Sequence, residues 1–365
     1  MKISHLIVSL NRGGQERVVV DLAAQQVKNG LDVCIICLNE EGALAMEARE
    51  KDITIYNCNK KSAIDVKAII KLRKILKSNN ISILHTHNAV ANYYGVAAKL
   101  GSHIKCQINT RHGNGATQGR MVERLFKLSM FFTELCVCVS ESAKKAFLNA
   151  KVLSEFNSTV IYNGIHVNNE PPDKIEQQIA FKKLGFNKNV NVIGSVGRLS
   201  PAKDFPLLVE SFAKIDNSLN TILVILGEGP ERKNIEQAIS NNRLENKVFL
   251  LGDRSDAREL MSGFDIYAVS SATEGFSIAI LEACAAALPI VATDVGGNPE
   301  IVKAGINGLL VQHGNSSALA KQLEHFLLNP ELALNMGLSG FEWVAQTCSV
   351  AIMETAYMNV YRRHL

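Results

Sequence analysis

The sequence predicts an α/β protein built from two doubly wound parallel sheets, and three observations carry that prediction. Short apolar runs alternate with longer helical patterns from end to end, as strands do with crossover helices. The alternation is interrupted once, over 163–189, where Asn163-Gly164, Asn168-Asn169 and Pro171-Pro172 cluster with no apolar strand among them. The third is size: 365 residues, 47% hydrophobic and 20% charged, suit two domains and exclude a globally disordered chain.

Taken in order, the front half holds apolar runs at 3–10, 32–38, 53–56, 83–85, 105–110 and 135–140, each expected as a strand. Helical patterns lie across 16–28 and 64–77. Beyond the interruption, a second series of strands is expected at 191–196, 221–226, 247–251, 266–269 and 289–293. The boundary falls in the turn-rich stretch, giving a front domain over 1–167 and a rear domain over 168–348. Two such halves in series suggest two Rossmann-like domains facing one another across a cleft. Open sheets of this kind bind ligands at the carboxyl ends of their strands, so the loops after strands are the first places to look for chemistry.

The net charge of +4 conceals an asymmetry. Residues 1–167 hold 22 Lys and Arg against 13 Asp and Glu, whereas 168–365 hold 17 against 22. A front half at +9 suits an anionic partner: a membrane surface, a nucleic acid or a phosphorylated substrate. No recognition module or aromatic-rich strand accompanies the charge, which argues against nucleic acid. No run of about 18 apolar residues exists to span a bilayer. The first ten residues are too short and polar for a signal peptide, so a cytoplasmic chain is expected. Of the 8 cysteines, Cys34, Cys37, Cys136 and Cys138 lie in apolar runs, where small buried side chains account for them better than a zinc site. There is no P-loop pattern and no D-x-D pair. Gly227-Glu228-Gly229 begins a G-x-G-x-x-G, but Arg232 stands where its third glycine belongs, which weakens a dinucleotide dehydrogenase.

Four loops are placed to do chemistry. The first, Gly13-Gly14-Gln15-Glu16, would let backbone approach an anion at a helix N-terminus, and an ordinary tight turn explains it equally well. The second runs from Gly197 to Asp204 after the strand at 191–196. Arg198 and Lys203 there flank the start of a helix expected over 204–215, one a forked donor and the other a point charge. Together they make a diphosphate clamp that needs no metal. The third is Glu274-Gly275-Phe276-Ser277, opening a small-residue helix that is expected to reach Ala287 and carries Glu282. Glu274 could meet a sugar. Glu282, among Ala, Ile, Leu and Cys, is costly unless it accepts hydrogen bonds from ligand hydroxyls; an internally satisfied acid is the competing account. The fourth is Asn109-Thr110-Arg111-His112-Gly113-Asn114-Gly115. His112 would face a cleft there, and His85 and His87 compete equally for the role.

In order and spacing, these pieces resemble the family 4 retaining glycosyltransferases of the GT-B fold, over nearly the whole chain. The likeness also rests on His112-Gly113, Val139-Ser140-Glu141-Ser142, Ile161-Tyr162-Asn163-Gly164-Ile165, Val196-Gly197-Arg198-Leu199-Ser200, Leu226-Gly227-Glu228-Gly229-Pro230 and Gly296-Gly297-Asn298-Pro299-Glu300. It implies that Arg198 and Lys203 neutralise a donor diphosphate, that Glu282 accepts the ribose hydroxyls and that Glu274 contacts the donor sugar. Gly275, Phe276 and Ser277 belong to the same donor loop. His112 would lie close to the sugar, and Gly14 would leave room beside the phosphates. The last helix, across 349–363, would cross back onto the front domain.

The implied activity is transfer of a sugar, with retention and without metal or resident cofactor, from a nucleotide-diphosphate sugar. Uridine is the base that the family suggests. The acceptor would be a hydroxyl of a glycan or lipid-linked glycan, in cell-surface polysaccharide or lipopolysaccharide synthesis. Three departures stand out: His166 where the family commonly has Asp, Ser270-Ser271 where it has Pro-Ser, and Ala287 where it has Gly. A sugar-nucleotide epimerase of the same fold and a non-catalytic nucleotide-sugar binding module are the competing readings.

Two helical stretches bear on the acceptor. Residues 60–77 carry Lys60, Lys61, Lys67, Lys71, Arg73, Lys74 and Lys77 against Asp65 alone, with Ile64, Ala68, Ile69, Leu72, Ile75 and Leu76 on the other face. Residues 119–132 mix Arg120, Arg124 and Lys127 with Met121, Leu125, Phe126, Leu128, Met130, Phe131 and Phe132. Both suit peripheral contact with an anionic membrane face, and packing on a sheet with snorkelling cations is the alternative.

Overall fold

The computed structural model describes residues 2–113, 119–186 and 190–365. Asn114 and Gly115 of the fourth loop lie outside the described residues, as do 187–189 and the side chain of Arg120. The chain divides into two compact units, Met1–His166 with Ser349–Leu365, and Val167–Cys348.

Unit 1 runs β1 (Lys2–Ile7), α1 (Gly14–Lys28), β2 (Asp32–Cys37), α2 (Ala45–Glu50), β3 (Thr54–Asn57), α3 (Val66–Ser78), β4 (Ile83–His87), α4 (Asn88–Lys99), β5 (Cys106–Arg111), α5 (Arg120–Ser129), β6 (Leu135–Cys138), α6 (Glu141–Asn149) and β7 (Ser158–Val160). Its seven strands are ordered β3-β2-β1-β4-β5-β6-β7, and every pair is parallel. Strand order reverses between β1 and β4, the switch point at which doubly wound sheets bind their ligands. β1 stops at Ile7, short of the expected 10, because the Leu10 carbonyl turns to accept Leu44 N–H at 2.9 Å. β4 instead runs two residues past the expected end, through His87.

Unit 2 runs α7 (Lys174–Leu184), β8 (Asn191–Val196), α8 (Phe205–Phe212), β9 (Thr221–Leu226), α9 (Arg232–Asn241), β10 (Val248–Leu250), α10 (Ala257–Met261), β11 (Ile266–Val269), α11 (Ile278–Ala285), β12 (Ile290–Thr293), α12 (Asn298–Ile301), β13 (Gly308–Val311), α13 (Ser316–Leu328) and α14 (Pro330–Thr347). Its strands are ordered β10-β9-β8-β11-β12-β13, all parallel, with the reversal between β8 and β11. The turn-rich stretch over 163–189, from which no helix was expected, holds α7. Its N-terminus is set by a capping box in which Asp173 accepts from Glu176 N–H and Glu176 accepts from Asp173 N–H. Ile175 and Ile179 on this helix are exposed, so it lacks the apolar stripe by which helices announce themselves.

The final helix, α15 (Val350–Arg363), belongs to unit 1 and packs against α1. Gly164 admits it, since a Cβ there would stand 2.5 Å from the Ser349 carbonyl oxygen. Asn29 donates to Glu354 at 3.1 Å, and Tyr357 and Tyr361 are fully buried against the sheet.

All 8 cysteines are free and buried, and burial pushes the Cys37 thiol up to about 12 and the Cys58 thiol to about 11. None of the described helices is long and apolar enough to cross a membrane. α3 starts at Val66, where the Asp65 side chain caps it, and not at 64. It buries Ala68, Leu72, Ile75 and Leu76 and turns Lys67, Lys71, Lys74 and Lys77 outward. Val66 and Ile70 are exposed on the same helix, and Ile64 is exposed just before it.

Candidate active site

In unit 2, the carboxyl ends of β8 and β11 bring the second and third loops together. Gly194 on β8 leaves room for the Phe264 ring, which a Cβ would meet at 1.9 Å. Gly227 and Gly229 serve the same end: their Cβ atoms would fall 1.9 Å from the Gly197 carbonyl oxygen and 2.2 Å from that of Leu199. The half-motif Gly227-Glu228-Gly229 therefore lets two βα loops lie against each other, laced by Leu199 N–H to Glu228 O at 3.0 Å.

After β8 the chain makes a 3-10 turn over Pro201–Lys203 and passes through Asp204 at φ +46. The helix expected from 204 to 215 thus begins at Phe205 and ends at Phe212. The left-handed Asp204 holds its carboxylate 2.8 Å from His313 Nε2.

Lys203 is turned back over the glycine of its own loop, with Cε 3.3 Å from where a Gly197 Cβ would stand. Its Nζ meets Glu274 Oε1 at 2.5 Å, and the Ser271 hydroxyl donates to the same oxygen at 2.7 Å. The Ser270 hydroxyl donates to the Lys203 carbonyl at 3.0 Å. The two serines that replace the family's Pro-Ser are thus the fastenings of this ion pair. A small recess here is lined by Ser195, Lys203, Tyr267, Ser270, Ser271 and Ser277. Arg198 sits in the same loop, exposed, and forms no ion pair among the described residues. The structure therefore joins Lys203 to Glu274 and leaves Arg198 outside that pair.

Gly275 leads into α11, with Phe276 and Ser277 buried at its start. Glu282 is half-buried on that helix, which corrects the expectation of an acid sunk among apolar neighbours. The Tyr267 phenol is pushed up mainly by burial, and the negative charges of Glu282 and Glu274 add to it, which puts both carboxylates near one buried ring. α11 ends at Ala285, not Ala287. Ala287 takes φ +54, the left-handed turn for which the family uses glycine, at a cost of about 1–2 kcal/mol.

In unit 1, the carboxyl ends of β1, β4 and β5 are tied by Asn88, itself at φ +67. Its side-chain N–H2 donates to Gln15 in the first loop, its Oδ1 accepts His112 N–H at 3.1 Å, and its carbonyl accepts Asn109 Nδ2 at 3.0 Å. Gly14 is the first residue of α1 in that same first loop.

The three competing histidines separate clearly. His85 is fully buried, with Nδ1 2.8 Å from the Tyr361 hydroxyl and Nε2 2.7 Å from Thr110 Oγ1. His87 bonds to His5 at 3.1 Å and to His112 at 3.0 Å. His112 alone keeps a ring nitrogen, Nδ1, with no hydrogen-bond partner among the described residues. Burial pulls His112 down to about 3, with the neighbouring Arg111 charge adding to the effect.

His5, His85 and His87 bring three ring nitrogens within 4.8 Å of one another, a convergence that their spacing in sequence does not reveal. Every ring nitrogen of the three already has a hydrogen-bond partner, so a metal there would break the network around it. His166, the third departure from the family, lies 3.5 Å from the buried carboxylate of Asp21 on α1.

Comparison with known proteins agrees with this fold. The family model described as glycosyl transferases group 1 matches residues 176–343, and that of glycosyltransferase family 4 matches 12–169. The chain is 28% identical over 328 residues to UDP-Gal:alpha-D-GlcNAc-diphosphoundecaprenol alpha-1,3-galactosyltransferase of Escherichia coli, covering 86% of this chain and 84% of that one. It is 26% identical to N-acetyl-alpha-D-glucosaminyl L-malate synthase of Bacillus anthracis, with the same coverage of 86% and 84%. The crystal structure of Anabaena Alr3699/HepE in complex with UDP and glucose superposes with a TM-score of 0.90 at 23% identity over 100% of both chains. WaaG, a glycosyltransferase involved in lipopolysaccharide biosynthesis, gives 0.76 at 16% identity, over 97% of this chain and 98% of that one. With both sheets doubly wound and a family model matched in each half, this chain belongs to the family 4 glycosyltransferases of the GT-B fold.

Proposed function

We propose that this protein transfers a sugar from a uridine diphosphate sugar to a hydroxyl of a glycan or lipid-linked acceptor, with retention of configuration and without a metal. The observation that carries the reading is the Lys203–Glu274–Ser271 cluster at the switch point of unit 2. A cation held at a strand's carboxyl end, next to the start of α11, suits a diphosphate whose charge grows as it leaves. Arg198 in the same loop supplies the forked donor. Glu282 suits the ribose hydroxyls, and Glu274, once Lys203 turns to phosphate, suits a hydroxyl of the donor sugar.

In the reaction, the acceptor oxygen bonds to the anomeric carbon as the bond from that carbon to the phosphate oxygen breaks. The acceptor proton passes to the departing phosphate on the same face. The protein's part is positioning and charge stabilisation. The UDP and UDP-glucose held by Anabaena Alr3699/HepE, and the diphosphoundecaprenol acceptor of the Escherichia coli relative, support the donor and acceptor classes.

The exposed cations of α3, with Val66 and Ile70 among them, and the exposed Met121, Leu128, Phe131 and Phe132 support contact with an anionic membrane face for a lipid-linked acceptor. Flotation with anionic vesicles at low salt is expected to carry the protein; its absence from the vesicle fraction would end the membrane proposal.

The deciding experiment is a thermal-shift panel with UDP, GDP, ADP and NAD on wild type and Lys203→Ala. A ligand at about 100 times its Kd stabilises the folded state by about 2.7 kcal/mol. Stabilisation by UDP alone, lost in the variant, is the expected result. A response only to NAD, or equal UDP responses in both proteins, overturns the donor assignment.

A further inference from the structure

Beneath His112 lies a line of side chains that the transfer reaction does not by itself require. Gln26 of α1 is fully buried, and its Oε1 stands 2.8 Å from His5 Nε2. His5 Nδ1 stands 3.1 Å from His87 Nε2, and His87 Nδ1 stands 3.0 Å from His112 Nε2. The three imidazoles come from β1, β4 and the end of β5, three adjacent strands in the sheet order. In sequence, His5 and His87 are 82 residues apart.

Such a line has a direction. With the Gln26 carboxamide oxygen set toward His5, that oxygen only accepts and His5 carries its proton on Nε2. Burial keeps His5 neutral, lowered to about 4, which leaves Nδ1 a bare lone pair. His87 Nε2 must then donate to it. His87 is held far below the usual histidine value by burial and by the neighbouring His85, so its Nδ1 is an acceptor in turn. Among the described residues, the donor available to that nitrogen is His112 Nε2–H. His112 is neutral too, so its proton is committed to the line and Nδ1 is left with a lone pair. That nitrogen is buried and has no partner among the described residues. The backbone of His112 is held by Asn88 and its ring by the bond to His87.

We infer that Gln26, His5 and His87 are positioning residues that set the tautomer of His112, so that its Nδ1 meets a substrate hydroxyl as a hydrogen-bond acceptor. The identity of that hydroxyl rests on the glycosyl-transfer reading; the tautomer does not. Among the described residues, the charged and titratable groups that act on or with His112 are Arg111 from its own strand end and His87 and His85 from β4. None of them favours protonation of His112. It therefore works as a neutral acceptor and not as an acid, and the transfer rate carries no titration of His112 between about pH 5 and 8.

The test reads the tautomer directly. Nitrogen NMR of the intact, histidine-labelled protein, without ligand and with His112 assigned by loss of its signal in His112→Gln, separates a bare ring nitrogen from a protonated one. Wild type is expected to show Nδ1 of His112 bare. Gln26→Met keeps the volume and removes the terminal acceptor, and His5→Phe breaks the line in its middle. Each is expected to give mixed tautomers at His112 and to lower kcat/KM for sugar transfer about tenfold, with UDP affinity unchanged.

A protonated Nδ1 in wild type overturns the inference and needs no variant to be read. A mixed tautomer with an unchanged rate overturns the functional half. Failure of wild type to bind UDP strikes the glycosyl-transfer reading alone, because the tautomer is recorded without substrate.

Discussion

In unit 1 the central strands β1, β4 and β5 carry His5, His85, Thr86, His87, Asn109 and Thr110 into the interior, all buried and all hydrogen-bonded. The corresponding strands of unit 2, β8, β11 and β12, bury Val192, Ile193, Ile266, Ala268, Ile290, Val291 and Ala292, with Ser195, Tyr267 and Thr293 as polar members. The sheets share their strand order around the switch point and differ in what fills them. Unit 2 is an apolar platform whose candidate chemistry sits in the loops, where side chains can change partners, as the proposed function asks of Lys203 between Glu274 and a phosphate. Unit 1 places polar chemistry inside the strands, where each donor is committed to one acceptor and an unpaired group costs about 1–3 kcal/mol. A loop site adapts to its ligand, whereas a strand site dictates to it.

The comparison is sharpened most by Lys203→Ala. If unit 2 keeps chemistry and folding apart, this substitution lowers kcat about 100- to 1000-fold. Its melting temperature should move little, because the pair it breaks is partly solvated. Turnover and calorimetry on the same preparation test this; a large fall in melting temperature would make the pair a structural one.

Acid should then pull the units apart. His5, His85, His87 and His112 are all harder to protonate folded than unfolded. As pH falls below about 6.5 the unfolded chain binds more protons, and unit 1 loses about 1.4 kcal/mol per pH unit for each such group. The loss continues down to about 4 for His5 and about 3 for His112. In unit 2, burial raises the Asp265 carboxyl, which works in the opposite direction. Two calorimetric transitions are expected to separate on going from about pH 7.5 to about pH 5.5, with the earlier one belonging to unit 1. Transitions that move together would remove the contrast.

The smallest expected effect is that of Tyr361→Phe, which leaves His85 Nδ1 without its 2.8 Å partner. A loss of about 1–3 kcal/mol in the unit 1 transition, with unit 2 unchanged, is the outcome to measure by denaturant titration.

What could be read from sequence follows the same division. Strands 191–196, 221–226 and 266–269 lie where their apolar runs put them, because an apolar platform writes itself as short runs rich in Val, Ile and Leu. Arg198, Lys203 and Glu274 were visible as loop residues after such strands. Their pairing was not, since Lys203 and Glu274 are 71 residues apart and no spacing rule joins them. Ser270 and Ser271 looked like mere departures from a family pattern until their hydroxyls were seen to hold the ion pair and its loop. The polar interior of unit 1 was the least legible part. A histidine in a strand gives no sign of facing another strand's histidine until the register aligns His5 with His85. α7 went unread because its signal was a capping box and not a stripe.

The return of α15 to unit 1 has a consequence during synthesis. Thr110 and its partner Tyr357 are 247 residues apart in the chain, and Tyr361 follows later still. At ribosomal rates of about 5–20 residues per second, Thr110 and His85 leave the tunnel roughly 12–50 s before the hydroxyls that complete their hydrogen bonds are made. Unit 2, continuous in sequence, has its whole length available first. The first half of the protein to be translated is thus the last able to finish folding, and its polar strands wait in the nascent chain with water or a chaperone in place of two tyrosines.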